Sequence, residues 1–127
     1  MEDKGTRFRI LIVDDNHAAA DALARLLALR GHETMTLYSG TDAIEKAASL
    51  APDVMVLDIG LQDMEGYDVA RALRADESFK GVLIALTGYG QESDIRNAQK
   101  AGFDHHLTKP AGLSDIEQIL GSIAYAA

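Results

Sequence analysis

The sequence predicts a doubly wound α/β fold, a parallel sheet with helices packed on both faces. Short apolar runs alternate with helical patterns in the order βαβαβαβαβα. Such alternation means a parallel sheet covered on both sides. Four of these runs also stop on a polar residue. Run 10–13 stops on Asp14 and Asp15, run 54–57 on Asp58, and run 82–86 on Thr87. Run 105–108 stops on Lys109, followed by Pro110. Short β-rich runs bounded by turn residues read as buried parallel strands. In an open parallel sheet, ligands sit outside the carboxyl ends of the strands, where the strand order reverses. Three carboxylates, one hydroxyl and one ammonium are therefore expected to meet at one edge.

Each element has its own warrant. After the first strand, Asn16 caps a helix running to about residue 30, with Leu23, Leu26 and Leu27 on one face. Asp21 and Arg25 form an i,i+4 pair on its outer side. Gly31 ends it in the left-handed position. Residues 33–38 are the second strand. Ser39 or Thr41 starts a second helix that buries Ile44, Ala47, Ala48 and Ala51 and stops at Pro52. The third helix spans 68–75 and uses Val69, Ala72 and Leu73. The fourth, 91–101, is weakly apolar and anchored by Ile95 and Ala98. Ser114-Asp115-Ile116-Glu117 is a capping box that opens a last helix, with Ile116, Ile119, Leu120 and Ile123 inward.

Length and composition bound the function. A chain of 127 residues is one domain of ordinary size, and 47% hydrophobic residues supply a real core. No repeat, low-complexity tract or interdomain linker interrupts it, and the expectation is a single domain, residues 1–127, with no output domain. Cysteine is absent, which excludes disulfides, thiolate chemistry and cysteine-based zinc sites. The charged start, residues 1–5, leads into an apolar run too short for a signal peptide. No stretch approaches the roughly 18 apolar residues of a membrane span. The expected location is the cytoplasm, without membrane contact. A net charge of −8 repels nucleic acid phosphates and anionic lipid heads, so direct nucleic acid binding is not expected.

The strand-end residues suit phosphoryl transfer. Converging carboxylates repel one another and need neutralisation. A hard divalent cation does this, and magnesium prefers one or two carboxylates plus waters and phosphate oxygens. One carboxylate can then act as a nucleophile toward phosphorus, forming an acyl phosphate. The transfer needs positive charge on the equatorial oxygens, part of which Lys109 supplies, while the Thr87 hydroxyl can donate to a further oxygen. Taken singly, an Asp pair after a strand is a turn and helix cap, and Lys-Pro is a solvated loop. It is their common position at one edge that specifies chemistry. His105 and His106 are adjacent on a strand, point to opposite faces, and cannot chelate one ion. One is expected beneath a helix and the other at the surface.

With these residues in place, the chain resembles the receiver domains of two-component response regulators, over about residues 8–124. The resemblance rests on Asp14-Asp15, Asp58, Thr87 and Lys109-Pro110, and on the stretch from Asp58 through Gly66-Tyr67. Residues 86–90 also resemble receivers attached to hybrid histidine kinases. The resemblance implies a flavodoxin-like (βα)5 sheet in the order 2-1-3-4-5. It implies Asp58 as phosphoacceptor, with Mg2+ (or Mn2+) held by the Asp15 and Asp58 side chains and the Gly60 carbonyl, and by Asp14 through water. Lys109 would pair with Asp58 and then with the phosphoryl group, across a cis Lys109–Pro110 bond. The donor would be a histidine kinase or histidine phosphotransfer protein. Output would pass through the face of the fourth helix, fifth strand and fifth helix, to a downstream protein or within a homodimer. The chain would be a regulatory domain, catalysing only its own phosphotransfer and slow dephosphorylation.

Three positions depart from the family pattern. Gln62 stands where proline is common, which frees the loop. Gly88 follows the switch hydroxyl in place of alanine. His106 occupies the switch position of an aromatic ring, and is smaller, polar and titratable near neutral pH. Tyr89 is large enough to cover the water approach to Asp58, and Gly60 offers no general base, so slow self-dephosphorylation is expected.

Other classes fit less well. Asp14-Asp15 would repel a flavin phosphate, and an Asp-x-Asp phosphatase lacks its second acid at Gly60. Gly88-Tyr89-Gly90 follows the wrong strand for a dinucleotide loop, and Ser93 stands at the third glycine position. The remaining alternative is a receiver-fold interaction module that binds partners without being phosphorylated.

Overall fold

The computed structural model describes residues 7–88 and 92–126. Five strands, β1 (Arg9–Val13), β2 (Glu33–Leu37), β3 (Val54–Asp58), β4 (Val82–Thr87) and β5 (His105–Thr108), alternate with five helices. These are α1 (His17–Leu29), α2 (Gly40–Leu50), α3 (Gly66–Ala75), α4 (Glu92–Ala101) and α5 (Leu113–Ala126). The strands form one sheet in the order β2-β1-β3-β4-β5, and every pair is parallel. After β2 the chain crosses β1 to reach β3, so the order reverses between β1 and β3. The expected architecture and strand order are both present.

Alternating side chains divide the core into two layers. Leu11, Val13, Met55, Leu57, Leu83 and Ala85 pack against α2, α3 and α4 through residues such as Ala47, Leu73 and Ala98. Ile10, Ile12, Val54, Val56, Ile84 and Leu86 pack against α1 and α5 through Leu27, Ile116 and Leu120. The central strands are buried on both faces, which is why they read as continuous apolar runs. The first layer therefore carries α2 to α4 and the second carries α1 and α5.

Several helix ends form as the sequence predicts. The Asn16 side chain accepts the Ala19 N–H at 3.1 Å and caps α1, and Gly31 follows that helix at φ 98°. Ser39, rather than Thr41, caps α2.

Four expectations are corrected. Leu26 is 44% exposed, because α1 buries Ala20, Ala24 and Leu27, a face rotated away from it. Asp21 accepts the Tyr38 hydroxyl at 2.7 Å, and no ion pair with Arg25 forms among the described residues. Ala51 is exposed at φ 50°, since it adopts the left-handed cap of α2 one residue before Pro52. Ser114 lies inside α5, not at its cap. The helix begins at Leu113, where Asp115 reaches back to the Gly112 N–H at 3.0 Å, and Glu117 pairs with Arg30 at 3.4 Å. Further, α3 starts two residues earlier than expected, at Gly66. The charged start at residues 1–5, together with Tyr89, Gly90 and Gln91, lies outside the described residues.

Candidate functional site

The carboxyl ends of β1 and β3 flank the reversal of strand order, and the acidic residues converge there. Carboxylate oxygens of Asp14, Asp15 and Asp58 lie within 4.8 Å of one another. Asp14 and Asp58 are buried, while Asp15 is half-exposed. With Gly60, Lys109 and Ala19 they line a cleft of about 510 Å³ on the α1/α5 side of the sheet.

Local backbone fixes each of these groups. Asn16 N–H donates to Asp14 Oδ1 at 2.9 Å in a short turn before α1. Gly60 N–H donates to Asp58 Oδ1 at 3.1 Å, and Lys109 Nζ meets the same oxygen at 2.8 Å. Asp58 Oδ2 receives no N–H donor among the described residues. Lys109 is itself held at the strand end, its N–H donating to the Thr87 carbonyl at 2.7 Å. The Lys109–Pro110 bond is cis, in agreement with the family resemblance. Behind the site, Gly66 N–H closes the loop onto the Ile59 carbonyl at 2.8 Å. A Cβ at Gly66 would come within 2.7 Å of the Asp58 carbonyl oxygen and the Ile59 Cα, so this position has no room for a side chain.

The electrostatics favour a cation. Burial pushes the Asp14 carboxyl up, and the Asp58 charge adds to this, while the Asn16 N–H and Lys109 oppose it. Three carboxylates against one ammonium leave an excess of negative charge in a partly buried cleft. An all-oxygen donor set of this kind suits a hard divalent ion such as Mg2+ or Mn2+. Among the described residues it is the sole cluster of three or more acidic, histidine or cysteine side chains with this spacing.

Thr87 is placed differently. It ends β4, is buried, and does not line the acidic cleft. Its Oγ1 lies 2.8 Å from His106 Nε2. His105 and His106 are both half-buried, so neither is the expected surface residue.

A family model of the response regulator receiver domain matches residues 10–121. The chain belongs to this family. The receiver domain is 37% identical over 106 residues to the transcriptional regulatory protein KdpE of Mycobacterium tuberculosis, covering 84% of this chain and 46% of that protein. It thus spans about half the length of the curated relatives it matches. A CheY-like receiver domain from Methylobacillus flagellatus superposes with a TM-score of 0.80 at 30% identity, covering 93% of this chain and 99% of that one. The chemotaxis response regulator CheY4 of Vibrio cholerae shares the fold, with a TM-score of 0.85 at 24% identity over 93% and 99% of the two chains. Receiver domains are regulatory domains of two-component signalling that work with histidine kinases. In this one, no helix among the described residues is long and apolar enough to cross a membrane.

One residue near the site was not foreseen. Asp63, in the loop between β3 and α3, accepts the Gly40 and Thr41 N–H groups and the Thr41 hydroxyl, each at 2.9 Å. It ties the loop that carries Gly60 to the start of α2. Those donors hold its carboxyl below the usual carboxylate range. A folded-state value below the unfolded one contributes stability that is present above the ordinary carboxylate value and is lost as pH falls through the lowered one. Asp63→Ala is therefore expected to cost about 1 kcal/mol at neutral pH, the size of a lost helix cap at an exposed position. Thermal melts of both proteins should stay apart down to the ordinary carboxylate value, about 4, and converge as the pH falls below it. A gap that stays constant over that range would show that the carboxylate charge contributes nothing.

Proposed function

We propose that this receiver domain is a phosphorylation-dependent switch whose phosphoacceptor is Asp58. The observation that carries this reading is the Lys109–Asp58 pair at 2.8 Å, set inside a group of three carboxylates at the strand edge. Lys109 and Gly60 both address Oδ1, which leaves Oδ2 for attack on phosphorus. The donor is a phosphohistidine of a histidine kinase or phosphotransfer protein. The new bond joins Asp58 oxygen to phosphorus, the phosphorus–nitrogen bond breaks, and the departing imidazole nitrogen keeps the electron pair and takes a proton. Asp15, Asp58 and the Gly60 carbonyl, with Asp14 through water, would hold Mg2+ or Mn2+, which when bound supplies positive charge at the phosphoryl oxygens. Lys109 moves from Asp58 to a phosphoryl oxygen and stabilises charge there. The Thr87 hydroxyl donates to another.

The added charge, about −1.5 to −2, biases the loops after β3 and β4 between two arrangements. The surface formed by α4, β5 and α5 reads out the result, to a protein partner or a second copy. MtrA of Mycobacterium leprae, 36% identical, is a DNA-binding response regulator, but the chain covers 45% of it. For these residues, whose sequence carries a net charge of −8, the proposed output is protein contact rather than nucleic acid.

The test is intact mass after incubation with a small-molecule phosphodonor and Mg2+, then with a phosphorylated histidine kinase. One phosphoryl adduct on wild type is expected, absent in Asp58→Ala and with excess chelator. A folded wild type that takes no phosphoryl group from either donor would favour the unphosphorylated interaction module instead.

A further inference from the structure

Consecutive residues on a strand face opposite layers, and β4 ends on such a pair. Leu86 lines the acidic cleft, whereas Thr87 meets His106. His106 lies beside Ala85 in the β4–β5 register, and Ala85 belongs to the layer under α4. His106 also borders a small cavity of about 70 Å³, together with Ile95, Ala98 and Phe103. The switch hydroxyl is therefore hydrogen-bonded on the α4 side of the sheet, while Asp58 and Lys109 line a cleft on the α1/α5 side.

We propose that His106 is a positioning residue that latches the Thr87 hydroxyl on the α4 side, a bond that must break before Thr87 can serve a phosphoryl group on Asp58. The inference rests on the reading of Asp58 as phosphoacceptor. A hydroxyl carries one hydrogen. When His106 Nε2 accepts it, that hydrogen is not available to a phosphoryl oxygen. A purely hydrocarbon ring at residue 106 would offer no acceptor, so the polar imidazole adds a threshold to switching. A neutral hydrogen bond contributes about 1 kcal/mol net, which sets the threshold at about fivefold in the switching equilibrium. Release leaves the imidazole without this partner next to the α4 cavity, so the change at the site is felt between α4 and β5.

The test measures binding of beryllofluoride, a phosphoryl mimic, with Mg2+ present, to wild type, His106→Phe and His106→Gln. Phenylalanine keeps a ring and removes the acceptor; glutamine keeps a polar group that can accept. Binding is expected to tighten about fivefold in His106→Phe and to stay near wild type in His106→Gln. Equal affinities for phenylalanine and wild type, or equal shifts in both variants, would overturn the latch. A second readout is the 15N signal of the His106 ring. It should move on addition of beryllofluoride and, without any mimic, in Thr87→Val. An unmoved ring signal in Thr87→Val overturns the proposal by itself. If wild type binds no beryllofluoride, the phosphoacceptor reading fails, and the Thr87→Val signal still decides whether the latch exists.

Discussion

Lys109→Met is expected to slow phosphoryl transfer to Asp58 by roughly a hundredfold or more, the usual loss when one preorganised donor to a developing charge is removed. The substitution keeps the length of the side chain and deletes its ammonium, which lies 2.8 Å from Asp58 Oδ1. The same variant should bind Mg2+ more tightly. The ammonium and the ion compete for one cluster of carboxylates, and a unit charge about 4 Å away exerts roughly 1 kcal/mol even at the dielectric of water, about fivefold in affinity. Slower transfer with tighter metal binding is an uncommon combination. Isothermal titration with Mg2+ and a single-turnover phosphorylation time course would measure both. Weaker metal binding in Lys109→Met would mean that the lysine shapes the site rather than charging it.

Arg74→Ala is expected to destabilise the fold by about 3 kcal/mol, in the range for several hydrogen bonds to one charged group. Arg74 stands in the last turn of α3 and reaches across the far end of the sheet. Its guanidinium donates to the Gly102 carbonyl at 2.8 Å, to the Gly81 carbonyl at 2.9 Å and to Asp104 at 2.6 Å. Asp104 in turn accepts the Leu83 N–H at 2.9 Å, so one side chain links α3, the start of β4 and the turn after α4. Lysine cannot serve three acceptors in that fork, and Arg74→Lys should recover little of the loss. Urea unfolding, or a fall of about 10 °C in melting temperature, would check it. A loss under about 1 kcal/mol, the size of one ordinary hydrogen bond, would show that the fork only decorates packing already secured by Leu73 and Phe103.

The contrast between these two residues shows what a sequence exposes. Lys109, Asp58 and the Asp14-Asp15 pair end apolar runs, and the geometry of parallel strands gathers run ends at one edge. Their meeting followed from local pattern alone. Arg74 and Asp63 have no such marker: Asp63 acts on backbone groups 22 and 23 residues away, and Arg74 on partners 7, 28 and 30 residues away in the chain. An arginine on a helix and an aspartate in a loop read as solvated residues until the partners are placed. The helix faces show a similar limit. The α1 segment carries leucines at 23, 26, 27 and 29 among many alanines, and these wrap more of the helix than one face can bury. The apolar period could not tell Leu27, fully buried, from Leu26, nearly half exposed. At the start of α5 two acid-bearing tetrads overlap in the sequence, and Gly112 with Asp115 forms the one that bonds.

Leu86 and Thr87 face different sides of one sheet, and this bears on how such a protein can diversify. Substitutions on α1 and around Pro110 alter the wall of the acidic cleft, which under the proposed function a donor would approach. Under the proposed switch, those under α4 would alter how the output face responds to a movement of Thr87. The buried side chains of the two layers are distinct, so a core substitution falls on one layer or the other, although α5 belongs both to the cleft layer and to the proposed output surface. At the tip of β4 the two layers meet in adjacent residues, Leu86 and Thr87, and under the proposed switch a lesion there is expected to leave a protein that still accepts its signal and no longer passes it on.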